Sequence, residues 1–287
     1  MNSFSQQFFE FARSVHAESR LRLAPTPSGF LHIGNALNFI LVWLAAKNCG
    51  RSADERCAKV YLRIDDLDTD RNRPEYIQDI FDTLDWLKLN WDPAPPIYQS
   101  ANLLRYSQIL ERLRAKGLLF ACRKSRRDLE PFGHEYPLEF REQGLSLEDP
   151  EVAWRIKTPP DFPLPDFMVR RRDGIPAYQV ASFADDIYFG ITHIIRGADL
   201  KDSTAAQRFL AQVLSEDNFL KIKFLHHPLL LDVHGGKLSK SAGSTALKTM
   251  RDTGIGPEEI FQRVGNWLGL EGDSSLKLLK SMRQKIV

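Results

Sequence analysis

The hydrophobic pattern opens with a strand. Leu21 and Leu23 fall on one face of the segment 21–24 and Arg22 and Ala24 on the other, the period of two expected of extended backbone. Pro25-Thr26-Pro27-Ser28-Gly29 follows as a turn-rich loop. From Asn35 the apolar positions Leu37, Ile40, Leu41 and Leu44 recur at i, i+3, i+4 and i+7, which predicts a helix closed near Gly50. Period two returns over Val60–Asp66, with Val60, Leu62 and Ile64 opposing Tyr61, Arg63 and Asp65. Ile77, Ile80, Phe81, Leu84 and Leu87 stripe a second helix over 75–89, and a third is predicted over 103–116 with Gly117 as its stop. Apolar runs at 187–196 and 224–233 read as further strands, and the last thirty residues as helix.

Strands alternating with helices, both buried on two faces, predict an α/β fold around a doubly wound parallel sheet. The stretch 120–165 breaks the pattern: it is charged, contains proline and is weakly periodic, as an inserted subdomain would be. The expected divisions are therefore an amphipathic helical extension at 1–19, the first half of the sheet domain at 20–119, the insert at 120–165, the second half at 166–245, and a short helical segment at 246–287.

Composition narrows the class. No apolar run approaches the ~20 residues that span a bilayer, and the first twenty residues lack the basic start and apolar centre of a signal peptide. Cys49, Cys57 and Cys122 form no CxxC pair and no even set, which points to free thiols in a reducing cytoplasm. The net charge of +2 over 287 residues asks for no polyanion. Any nucleic-acid contact must then come from local patches such as Arg123-Lys124-Ser125-Arg126-Arg127 and Arg170-Arg171-Arg172. Charge runs are more often solvated faces.

Two segments carry candidate chemistry. Leu31-His32-Ile33-Gly34-Asn35 opens the first core helix. A helix N-terminus presents unpaired N–H groups and a positive dipole end to a phosphate. A histidine there can donate to a phosphoryl oxygen as charge builds in a transition state, and Gly34, with no side chain, lets a flat purine approach the backbone. Gly235-Gly236-Lys237-Leu238-Ser239-Lys240-Ser241 holds two lysines three apart in a Gly/Ser loop, point charges suited to a departing pyrophosphate. Either string alone is weak, and each reads equally as an ordinary surface loop.

Together they are more. APTPSGFLHIGN at 24–35 followed by KLSKS at 237–241 resembles the paired HIGH and KMSKS signatures of class I aminoacyl-tRNA synthetases. LRIDDLDTDR at 62–71 and RRRDGIPAYQVASFADDIYFGITHIIRGADL at 170–200 are similar to the glutamyl/glutaminyl subgroup, so four ordered motifs cover about residues 20–245. The resemblance implies a Rossmann-like catalytic domain that uses ATP and Mg²⁺ to convert L-glutamate to glutamyl-adenylate and passes it to a tRNA. It implies His32, Lys237 and Lys240 as the catalytic groups, with His32, Gly34, Asn35, Lys237, Ser239 and Lys240 around ATP. Glutamate would meet Arg22, Ala24, Thr26, Asp65, Tyr178, Ser182 and Arg196. Arg22 stands where the subgroup reads the side-chain carboxylate; a guanidinium–carboxylate fork favours glutamate over glutamine. Asp65 departs from the subgroup's glutamate by one methylene, and Ser182 stands where asparagine is usual.

Only 46 residues follow Ser241, a layout that resembles the truncated glutamyl-queuosine tRNA(Asp) synthetases, which glutamylate a modified anticodon base. In that subgroup the insert often opens a zinc site with CxC. Here the place reads Phe120-Ala121-Cys122, and Cys122 with His134 falls short of a structural zinc's ligand set. No zinc is expected, and the chain is expected to act as a cytoplasmic monomer away from membranes. Other readings remain open: charging of an ordinary tRNA 3′ end, glutamylation of another acceptor, a synthetase-like binding module without catalysis, or a nucleotidylyltransferase sharing the first motif.

Overall fold

The computed structural model describes residues 3–48, 58–92, 95–133, 136–229 and 246–286. Its elements begin with α1 (Ser3–Arg13), β1 (Arg20–Leu23), α2 (Ile33–Lys47), β2 (Lys59–Ile64), α3 (Pro74–Trp86) and β3 (Ile97–Tyr98). They continue through α4 (Leu103–Ala115), β4 (Leu119–Cys122), α5 (Arg126–Leu129), β5 (Ala153–Ile156), β6 (Phe167–Arg170) and α6 (Tyr178–Tyr188). The remainder is β7 (His193–Gly197), α7 (Lys201–Leu214), α8 (Asp217–Leu220), β8 (Lys223–His227), α9 (Leu247–Asp252), α10 (Glu258–Leu268) and α11 (Ser275–Ile286). Two compact units result: Met1–Ala101 with Ile191–Leu200 and Ile222–Val287, and Asn102–Gly190 with Lys201–Lys221.

In the first unit β1 pairs in parallel with β2, β2 with β3, and β7 with β8. β7 lies alongside β1: Arg20 N–H donates to Thr192 Oγ1 and Thr192 N–H to Arg20 O, both at 2.9 Å. The chain thus leaves β1 outward through β2 and β3 and later returns beside β1 at β7. Every residue of α2 from Phe39 to Lys47 is buried, which a helix achieves only with neighbours on all sides. β1, β2 and β7 lie against it, as do α1, α10 and α11. The amphipathic N-terminal helix is therefore part of the core. Phe4, Phe8, Phe9 and Phe11 are buried, and Phe4 stacks on Trp267 of α10 at 4.5 Å between ring centroids.

The second unit carries the antiparallel sheet β4-β5-β6, paired from Leu119↔Ile156 to Cys122↔Ala153 and onward to β6. Asp166 fastens it. Arg141 holds both its oxygens in a fork at 2.6 and 2.7 Å, and Thr158 N–H donates to Oδ1 at 2.8 Å. Among the helices, Asp185 of α6 accepts from Arg105 Nη1 at 2.6 Å and from the Tyr106 hydroxyl at 2.9 Å, both on α4.

Two strand expectations need correction. The run 187–196 is the last turn of α6, a turn at Gly190 with φ +62°, and only then β7; a short apolar run does not tell a helix end from a strand. β8 stops at His227, where Pro228 can donate no ladder hydrogen bond, and residues 230–233 of that expected strand lie outside the described residues. β2 likewise ends at Ile64, because Asp65 N–H turns to Pro25 O at 2.9 Å. Gly50, the expected cap, lies outside the described residues.

His193 records how tightly α1 is seated. It is 3% exposed, with Nδ1 2.8 Å from Thr192 Oγ1, Nε2 3.2 Å from Ser14 Oγ just past α1, and Phe11 edge-on. Burial, then the positive charges of Lys223 and His16, push its pKa down to about 4. The unfolded chain therefore takes up a proton here that the folded chain refuses. This contribution is complete above the ordinary histidine value of about 6.5 and is lost as pH falls toward 4, up to about 3 kcal/mol. Thermal melts of wild type should lose stability faster than those of His193→Gln over that window; parallel profiles would show that His193 is not held neutral.

Candidate active site

β1 and β7 are adjacent strands whose connections run in opposite directions along the sheet. In open α/β sheets the ligand crevice lies outside the carboxyl ends of such a pair. Arg22 on β1 and Arg196 on β7 are both buried there, Arg196 with its guanidinium 5.0 Å from the Phe224 ring centroid. Beyond β1, Ala24 is half-buried and Thr26 exposed, its carbonyl accepting from Ser28 N–H at 2.9 Å. A buried guanidinium at this edge can meet a carboxylate in a fork.

His32 is the N-cap of α2. Its backbone is extended (φ −120°, ψ 171°), and Asn35 Oδ1 takes its N–H at 3.0 Å. The imidazole folds over the first turn so that Nδ1 accepts from Gly34 N–H at 3.1 Å. An accepting Nδ1 requires the proton on Nε2, so the ring presents an N–H donor at its far end. A Cβ at Gly34 would lie 2.9 Å from His32 Cε1; the missing side chain makes room for the imidazole itself. Asn35 serves the cap, a task its place in the motif did not reveal.

Asp65 is 7% exposed and held by Arg63, which is 1% exposed: Nε donates to Oδ1 at 2.6 Å and Nη2 to Oδ2 at 3.1 Å. Alternate residues of a strand share a face, so the spacing hinted at this pair, but only the fold closes it. Asp66 has a structural task instead: its carboxylate takes the N–H and hydroxyl of Ser100 at 2.8 and 2.6 Å, joining β2 to the turn after β3.

Tyr178 and Ser182 belong to the second unit, one turn apart on α6; Ser182 is buried, with its hydroxyl 3.5 Å from Asp186 Oδ2. Lys237, Ser239 and Lys240 lie outside the described residues. The chain that follows them is described: Ala246 pairs with His32 in an antiparallel bridge, and Leu247 N–H donates to Leu31 O at 2.9 Å. At Ala246 and Leu247 the chain thus meets the turn that carries His32.

Cys122 is buried in an apolar cluster with Phe120 and Tyr136, against Leu129 and Phe140. Burial pushes its thiol up, but hydrogen bonding to the Tyr136 hydroxyl, to Gln143 and to Lys124 N–H outweighs this and leaves it below the ordinary value. Burial and the same thiol push the Tyr136 hydroxyl up. His134 lies outside the described residues, and no group of three His, Cys, Asp or Glu side chains arranged for a metal occurs among those described. The two basic runs meet in this unit: Arg172 donates to Arg123 O, Arg171 pairs with Asp173 at 2.6 Å, and Arg170 stacks over the Trp154 ring at 4.7 Å.

The profile of class I tRNA synthetase (E and Q) catalytic domains matches residues 18–137 and 137–281. A Synechococcus protein named glutamyl-Q tRNA(Asp) synthetase is 37% identical over 292 residues, covering 98% of this chain and 96% of its own length. A glutamate–tRNA ligase from another Synechococcus strain is 31% identical over 91% of this chain but only 60% of itself. In fold, the chain is similar to the crystal structure of an Elizabethkingia meningosepticum glutamate tRNA ligase in complex with its amino acid. There the TM-score is 0.72 at 23% identity, and the match spans 93% of this chain and 64% of that one.

The Arg63–Asp65 fork should matter to stability. Arg63→Met removes two hydrogen bonds from a buried carboxylate and should cost about 3 kcal/mol in urea denaturation. Adding Asp65→Leu should recover much of that loss, because no buried charge then remains to be compensated. An unchanged midpoint for Arg63→Met would show that the fork carries little.

Proposed function

Because this chain belongs to the class I tRNA synthetase (E and Q) family through its catalytic domain, we propose that it activates L-glutamate with ATP and transfers the glutamyl group to tRNA. The acceptor is a queuosine-modified base of tRNA(Asp). The observation that carries this choice is the 37% identity to the glutamyl-Q tRNA(Asp) synthetase relative, against 31% to the glutamate–tRNA ligase.

In the first step a glutamate carboxylate oxygen attacks the α-phosphorus of ATP, and the bond to pyrophosphate breaks. Arg22 forks the side-chain carboxylate, and Asp65, oriented by Arg63, receives the α-ammonium. Arg196, Ala24 and Thr26 line the same edge, and the motif at 170–200 assigns glutamate contacts to Tyr178 and Ser182 as well. His32 Nε2–H donates to a phosphoryl oxygen, Gly34 and Asn35 shape that turn, and Lys237, Ser239 and Lys240 carry the charge of the departing pyrophosphate. Mg²⁺ accompanies ATP as its phosphate counter-ion. In the second step an acceptor hydroxyl attacks the glutamyl carbon and AMP leaves. No protein nucleophile is needed; positioning and charge stabilisation supply the rate. The joined basic surface around Arg123 and Arg172 supplies phosphate contacts for the RNA. The protein works as a cytoplasmic monomer, away from membranes.

The 31% identity to a glutamate–tRNA ligase supports a second reading, charging of a tRNA 3′ end. Glutamate-dependent ATP–pyrophosphate exchange, run beside charging of bulk tRNA with and without queuosine, separates the two. Exchange should require glutamate, and charging should require queuosine. Charging that ignores queuosine would favour the second reading, and no exchange with glutamate would end both. Arg22→Ala should lose about 2 kcal/mol of preference for glutamate over glutamine; undiminished preference would place the carboxylate reader elsewhere.

The apolar surroundings of Cys122 support a chain that holds no structural zinc. Elemental analysis of the purified protein should find none in stoichiometric amount. About one zinc per chain, lost in Cys122→Ala, would overturn this.

A further inference from the structure

Leu31 is the residue whose backbone delivers the chain to His32, and both of its polar groups are claimed by distant elements. Its N–H donates to Asp79 Oδ2 on α3 at 2.8 Å, and its carbonyl accepts Leu247 N–H, at the start of α9, at 2.9 Å. Asp79 is 2% exposed, a setting in which a carboxylate requires partners. Its other oxygen takes Arg251 Nη2 at 2.5 Å, while Arg251 Nη1 donates to Thr83 Oγ1, one turn along α3, at 2.7 Å. Arg251 lies one turn beyond Leu247 on α9. The contacts therefore close a ring: Leu31 to Asp79, Asp79 to Arg251, along α9 to Leu247, and back to Leu31. His32 and Ala246 pair just outside it.

We propose that Asp79 and Arg251 are positioning residues for activation, holding the Leu31–His32 turn so that the His32 imidazole meets the phosphate. This rests on the reading of His32 as the phosphate donor. Both act through the Leu31 backbone, and neither is among the residues assigned to substrate. Bonds on Leu31 to α3 and to the start of α9 hold the turn from two elements, and Arg251 ties α9 to α3. A displacement of about 1 Å at such a group can cost on the order of 10²-fold in rate.

The test uses the full chain carrying Arg251→Met, Arg251→Lys or Asp79→Asn, each checked by thermal melt, with glutamate-dependent ATP–pyrophosphate exchange as readout. Arg251→Met should lower kcat about 10- to 100-fold, with the KM values for ATP and glutamate changed by less than about threefold. Arg251→Lys, which keeps a cation for Asp79 and loses the fork to Thr83, should recover part of the rate. In a His32→Ala background Arg251→Met should cost less than about threefold more, because residues acting as a unit are not additive. A folded Arg251→Met with wild-type kcat would overturn the proposal, as would a full multiplicative loss in the His32→Ala background. If Arg251→Met does not fold, Asp79→Asn and Arg251→Lys decide by the same criteria. A wild-type rate for His32→Ala would remove the donor reading itself, and the positioning claim with it. A slow His32→Ala beside a fast Arg251→Met removes only the positioning claim.

Discussion

The burial of α2 is the constraint on which the first unit depends. A helix that is buried at every position from Phe39 to Lys47 cannot lie at a surface, so the chain must supply a sheet on one side and helices on the others. α1 and α10–α11 come from opposite ends of the sequence to do so. Even the charged end conforms: Lys47 places its ammonium 5.3 Å from the Trp43 ring centroid, and its carbonyl accepts from Arg283 of α11 at 2.7 Å. Once α2 is fixed, its N-terminus is fixed, and His32 with it.

The edge beside that N-terminus is built of buried cations. Arg22, Arg63 and Arg196 come from three strands, with Asp65 held against one of them. Guanidinium groups taken out of water favour anionic partners far more than at an exposed surface. Buried guanidinium groups of this kind suit anionic ligands, which supports the proposed reading of Arg22 as the partner of a glutamate carboxylate. Asp65 is one methylene shorter than the subgroup's glutamate, and Arg63 forks it in place.

In the second unit, polar networks tie elements together beside an apolar core that includes Tyr106, Leu113, Phe183, Leu210 and Phe219. Asp166 and Asp185 each gather an arginine and a hydroxyl or backbone donor. The cluster around Cys122 is apolar and aromatic. The hairpin at Arg170–Gly174 and the segment after β4 bring their basic residues to one surface, so a nearly neutral chain acquires a local positive field.

The sequence by itself determined which faces of the main elements are apolar, and hence the α/β class, the parallel strands β1 and β2 and the helix between them. It also marked His32, Arg22 and Arg196, because each belongs to a motif whose order along the chain carries the information. It misread 187–192, where an apolar stretch suits a helix end as well as a strand, and it could not say what holds Asp65 or what Asn35 and Gly34 do beside His32. Those answers depend on which distant group arrives at a given atom. Arg251 reaches Asp79 across 172 residues, and Arg172 reaches Arg123 across 49. Local periodicity specifies the face that a residue turns inward, whereas the partner it finds there is set only when loops close and separate elements pack.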